Sequence, residues 1–148
     1  MKKLGILLVL VAALLVVGQA WAADLPILGG TWRGPGGGIR PDGNVENLTL
    51  TMTVSNQVGQ LFSGSLLVAI LDADGKVIEQ ESLLFSAYIS ADNRIAMTLI
   101  PKQAPPNPQR APAAAVMHGT WSETGINAVW ENLTFGNTGW ATLKKQVP

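Results

Sequence analysis

The sequence predicts an all-β domain folded as an eight-stranded antiparallel up-and-down barrel, with a two-sheet β-sandwich as the alternative. Three observations lead there. Through residues 48–55, Leu48, Leu50, Met52 and Val54 alternate with Thr49, Thr51, Thr53 and Ser55, the period of a strand with one buried and one wet face. Segments of similar character recur down the chain between clusters of turn residues. No segment carries a capped apolar stripe of period 3.6, so the helices that parallel crossovers need are missing and the sheet is expected to be antiparallel. An open sheet of this kind exposes two unpaired edges, which closure removes. Eight strands enclose just enough room for side chains or one small ligand.

Residues 1–22 stand apart from this pattern. Lys2 and Lys3 precede an apolar run over residues 4–17, and Ala20, Trp21 and Ala22 form a small-residue exit. This is the layout of a secretory signal peptide cleaved before Ala23. The apolar run is 14 residues long, and a spanning helix needs roughly 20, so the chain is not expected to span a membrane after cleavage. The short Lys-Lys start is of bacterial type, and the expected destination is the periplasm or the extracellular space. Residues 23–148 then make one domain. It contains no cysteine, which excludes a lipid anchor and leaves stability to packing and hydrogen bonding. Of the 10 Lys and Arg residues, two leave with the leader, so 8 remain against 10 Asp and Glu, a net charge of −2. A chain without a basic stripe is not a nucleic-acid binder.

Taken in order, the strands are expected over residues 27–33, 48–55, 60–71, 76–90, 94–100, 115–121, 126–133 and 139–145. Gly64 interrupts the third and marks a bulge or a close backbone approach. Asp42-Gly43, Asp74-Gly75 and Asp92-Asn93 supply residues that tight turns demand. Two stretches read as loops. Gly34, Pro35, Gly36, Gly37 and Gly38 follow the first strand. Residues 101–112 hold Pro101, Pro105, Pro106, Pro108 and Pro112, read as an exposed connection or a partner-binding arm.

Four tryptophans remain after cleavage: Trp32, Trp121, Trp130 and Trp140. Gly30-Thr31-Trp32 and Gly119-Thr120-Trp121 repeat one tripeptide at the first and sixth strands. On this unit the chain resembles the calycin group of barrels. Lipocalins carry Gly-x-Trp on the first strand, and avidins open with Gly-Thr-Trp and are rich in later tryptophans. The avidin-like outline fits better, because no flanking helix is visible here. Avidins place an Asn of the biotin site two residues beyond that Trp, where this chain has Gly34. The resemblance therefore implies a fold outline and no biotin site. Large aromatics in such barrels either plug the ends or wall a pocket. In the second case Trp32, Trp121, Trp130 and Trp140 are the candidate ligand-binding walls and Tyr88 a polar handle.

Catalytic equipment is sparse. His118 is the single histidine, and without cysteine or a second histidine a zinc site has no ligand set. No Gly-x-Ser-x-Gly elbow accompanies it. Asp72-x-Asp74-Gly75 starts like a calcium loop, but position twelve is Leu83 rather than Glu, so a hairpin turn is expected. Glu79 and Glu81 share one face and read as a solvated strand end. Lys144 and Lys145 and the low aromatic content argue against an outer-membrane barrel. The expectation is a non-enzymatic exported barrel, without cofactor or metal, that binds a small or apolar ligand. The alternative is a protein-interaction module, an inhibitor or envelope assembly factor, using the glycine-rich and proline-rich stretches.

Overall fold

The computed structural model describes residues 25–102 and 114–147. Eight strands follow one another: β1 Gly30–Ile39, β2 Val45–Val58, β3 Leu61–Leu71, β4 Val77–Ile89, β5 Arg94–Pro101, β6 Ala115–Ser122, β7 Gly125–Asn132 and β8 Thr138–Lys145. Each pairs antiparallel with its sequence neighbours, and β1 also pairs with β8, so the sheet closes into an up-and-down barrel. The sandwich alternative is thereby overturned. Among the described residues no helix is long and apolar enough to cross a membrane. Residues 1–22, the expected leader, and most of the proline-rich stretch lie outside the described residues.

Alternation explains the core. Leu48, Leu50, Met52 and Val54 of β2 are buried, as are Leu83, Phe85, Ala87 and Ile89 of β4 and Ile95, Met97 and Leu99 of β5. Their intervening neighbours face outward, mostly as Ser, Thr and other small or polar residues. In the core Phe62 and Phe85 meet edge to face with ring centroids 5.9 Å apart, a favourable arrangement of aromatic quadrupoles.

The glycine-rich stretch is not a loop. Residues 34–38 lie inside β1, paired along β2 from Gly34 opposite Leu50 to Gly38 opposite Glu46. Glycine is required there by proximity. A Cβ on Gly34 would lie 1.9 Å from the carbonyl oxygen of Thr142, and one on Gly36 would lie 2.4 Å from Leu50 Cδ1. Pairing with β8 runs through Trp32 and Arg33, lapses at Gly34 and Pro35, and resumes at Gly36 opposite Ala141. The lapse includes Pro35, which has no N–H to give to a ladder. Gly64 is likewise a close approach, since a Cβ there would sit 1.9 Å from the Thr53 carbonyl oxygen. The associated register shift falls on its partner strand, between Val54 and Asn56.

One end of the barrel is plugged. Leu28 is fully buried beneath the indole of Trp32, whose Nε1 donates to the Leu28 carbonyl at 2.8 Å. The Leu28 amide donates to Gln57 Oε1 at 2.8 Å, and Gln57 Nε2 donates to the Pro26 carbonyl at 2.9 Å. Lys145 Nζ lies 5.5 Å from the Trp32 ring centroid and donates to the Ile27 carbonyl at 3.2 Å. The segment entering β1 is thus held by hydrogen bonds on both sides.

Two stability predictions result, both read by urea unfolding of the protein. Leu28→Ala removes a fully buried side chain and is expected to cost roughly 2–5 kcal/mol. Gly34→Ala forces the β1 and β8 backbones apart and is expected to cost about 1–3 kcal/mol or more. Gly29→Ala, where an added Cβ meets nothing within 4 Å, is the control and should stay within about 0.5 kcal/mol of the parent.

Candidate functional site

Among the described residues the opposite end of the barrel is open. It gathers the end of β1, the starts of β2, β4, β6 and β8, and the ends of β3, β5 and β7. A cavity of about 60 Å³ enters here. Leu50, Leu66, Leu83, Leu99 and Met117 line its depth, and all are buried. Nearer the rim stand Glu46, Ile70, Glu81, Trp130, Asn132 and Asn137. The space suits on the order of four to six water-sized groups. That is well below the 300–1,000 Å³ typical of drug-sized ligand pockets, so most of the interior is filled by side chains.

Each rim residue is inward for a local reason. Glu46 keeps the parity of Leu48, Leu50 and Met52, and Glu81 that of Leu83 and Phe85. Trp130 keeps the parity of the buried Ala128. Its indole occupies the space above Gly139, where a Cβ would meet the ring at 2.3 Å. Asn132 is 1 % exposed and organises the turn into β8. Its Oδ1 accepts from the amides of Thr134 at 2.8 Å and Phe135 at 3.0 Å, and its own amide donates to the Asn137 carbonyl at 2.8 Å. This wall of the mouth is therefore rigid.

The polar groups divide into satisfied and unsatisfied ones. Arg40 NH2 donates to Glu46 Oε1, which neutralises that carboxylate. Glu81 Oε1 is buried without a hydrogen-bond partner among the described residues, and so is Trp130 Nε1. Burial, with a smaller contribution from the charge of Glu79, pushes the Glu81 carboxyl up to about 7. The expected solvated strand end at Glu79 and Glu81 is thus corrected: both carboxylates are half-buried on the inward parity of β4.

The five residues singled out from the sequence do not come together. Trp130 lines the open cavity. Trp32 is 3 % exposed at the plugged end, and Trp121 packs on the core at that same end, its amide donating to the Asn93 carbonyl at 2.9 Å. Tyr88 and Trp140 take the outward parity and are 41 % and 49 % exposed. Trp140 instead covers Gly37 on the outer wall, where a Cβ would meet its Nε1 at 2.6 Å. Glu46, Glu81, Asn132 and Asn137 were missed as mouth residues, although the parity of the first three was readable. Asp72 forms a turn as expected, its Oδ1 accepting from the amides of Asp74 at 3.0 Å and Lys76 at 2.8 Å. Among the described residues no three His, Cys, Asp or Glu side chains gather for a metal ion.

The Glu81 carboxyl carries a pH signature. Its folded pKa lies above the unfolded value of 4.5, so the folded state holds the proton more tightly. Stability from this group is full below about pH 4.5, falls as pH rises, and is lost above about 7. Urea unfolding should show Glu81→Gln gaining on the parent between pH 5 and pH 8, with the largest advantage at pH 8. Asp92 shifts in the opposite direction, lowered by the Ser90 hydroxyl and by Arg94 beside it, so its contribution is present at neutral pH and is lost only in acid.

Comparison with solved structures yields a likeness of fold. No protein-family model matches the chain, and no curated protein matches it. A solved structure of a redesigned beta barrel, mFAP1, bound to DFHBI, is similar with a TM-score of 0.53 at 15 % identity, covering 80 % of this chain and 94 % of that one. At that identity the likeness establishes the shared fold: a closed antiparallel β-barrel.

Proposed function

We propose that the mature protein is a non-enzymatic, exported, calycin-like barrel that binds a small, largely apolar ligand through its open end. The observation that carries this reading is the asymmetry of the two ends. One is plugged by Leu28 and Trp32, and the other admits an apolar cavity with Trp130 on its wall. Apolar lining with a few convergent polar groups is the usual character of small-ligand sites. The likeness to a barrel bound to DFHBI adds support, since that architecture accommodates a ligand. Export to the periplasm or beyond rests on the leader over residues 1–22.

One of the two stretches that the interaction-module alternative invokes is not a loop. Residues 34–38 belong to β1 rather than to a free loop, and residues 103–113 lie outside the described residues.

The test is intrinsic fluorescence of the mature protein titrated with a panel of short apolar compounds. Saturable quenching or a spectral shift is expected, and Trp130→Phe should remove most of it while Trp140→Phe leaves it in place. A response to none of the panel, together with partner capture that is lost on deleting residues 103–111, overturns the proposal in favour of the protein-interaction role.

A further inference from the structure

We infer that the open end selects ligands carrying a single protonated amine, with a short apolar body directed inward and the ammonium held at the rim by Glu81. The inference deepens the ligand-binding reading and rests on it. Three observations on the cavity carry it.

The first is the placement of charge. Along β4 the cavity lining passes from Leu83 to Glu81 toward the strand's start, and along β2 from Leu50 and Leu48 to Glu46. Apolar surface lies deep and carboxylate lies at the rim, the layout complementary to a small amphiphile with its head outward. The second is an unmet hydrogen bond. Glu81 Oε1 is buried without a hydrogen-bond partner among the described residues, and a buried acceptor left unpaired is unfavourable, the more so when charged. An alkylammonium brings three donors and a positive charge to that atom. A neutral alcohol brings one donor and no charge, and a carboxylate brings repulsion.

The third is the balance of charge around the mouth. Arg40 is committed to Glu46, so it does not cancel Glu81. Glu79 stands two residues away on the same face of β4, and its charge already raises the Glu81 carboxyl. The neighbouring turn between β3 and β4 contributes Asp72, Asp74 and Lys76, and Lys102 follows β5; all but Asp72 are exposed. Among these described groups Glu46, Glu79, Glu81, Asp72 and Asp74 face Arg40, Lys76 and Lys102, so acid exceeds base. The indole of Trp130 lines the same space, and an aromatic face adds attraction for a cation and little for a neutral head.

Size limits the ligand. With about 60 Å³ available, a chain of about four carbons fills the interior portion and longer chains do not fit without displacing core side chains. Because the ammonium favours the carboxylate form of Glu81, binding and proton release are linked, and affinity falls as the carboxyl is protonated in acid.

The experiment is nuclear magnetic resonance titration of the mature, isotope-labelled protein with n-butylamine, 1-butanol and butyrate at pH 8. The indole N–H signal of Trp130 is assigned by its loss in Trp130→Phe. Butylammonium is expected to bind at least about ten-fold more tightly than 1-butanol, with butyrate the weakest. In Glu81→Gln, an isosteric change that removes a buried charge and whose fold is checked by the same spectrum, the preference is expected to collapse to within about two-fold. Between pH 8 and pH 5 the affinity of the parent for butylammonium should fall several-fold, and that of the variant should not. Equal binding of butylammonium and 1-butanol by the parent overturns the amine inference and leaves the apolar-ligand reading standing. Tighter binding of butyrate overturns it likewise. Binding of none of the three overturns both. The comparison within the parent protein decides the matter even if the variant folds poorly.

Discussion

Closure of β1 against β8 is the constraint on which the rest of the molecule depends. The other seven pairings join sequence neighbours. They form through local contacts, at small cost in chain entropy. The seam joins Trp32 to Lys145 and Ile39 to Thr138, across almost the whole domain. Without it the sheet would have two edges and its inward side chains no opposing wall. With it, the inward sets of β2, β4 and β5 pack against those of β6, β7 and β8 as one core. The glycines of β1 serve this seam, because the wall can close only where no Cβ intrudes on the β8 backbone.

The same glycines shape the open end. Gly38 and Gly139 stand opposite each other across the seam, and the Trp130 indole lies in the space that their missing side chains leave. A bulky residue at either position would push that indole across the mouth. Closure and the shape of the open end are therefore set by one run of small residues, which explains why β1 tolerates a composition so unlike that of a typical strand. Proline within it interrupts one side of the ladder, yet the closed ring holds it from both flanks.

The two ends differ in how their polar groups are met. At the plugged end Trp32 Nε1, the Leu28 amide and both polar atoms of Gln57 find partners within the fold. At the open end Glu81 Oε1 and Trp130 Nε1 find none among the described residues. Buried polar atoms are nearly always paired in folded proteins, and these two unpaired atoms beside the cavity are what motivates the proposed ligand site. Trp121 Nε1 is also unpaired, but it lies toward the plugged end and outside the lining of this cavity.

Strand identity, strand order and the inward parity of most positions are written in the sequence. A period of two is a local property, and it survives any arrangement of the strands. Glu46 in phase with Leu48 and Glu81 in phase with Leu83 were legible by that rule, although glutamate's usual exposure argued the other way. The glycine-rich stretch was misread because glycine and proline mark loops when only neighbours along the chain are considered. Its strand character comes from contacts with Thr142 and Leu50, which no local pattern reveals. The division of the tryptophans was hidden for the same reason. Trp32 and Trp121 reach the plugged end, Trp130 the mouth and Trp140 the outer wall, according to parity and to which strand end each occupies. Local periodicity thus determined the barrel's strands and their buried faces. Tertiary closure alone decided which end stays open and which side chains meet there, because that depends on contacts between residues far apart in the chain.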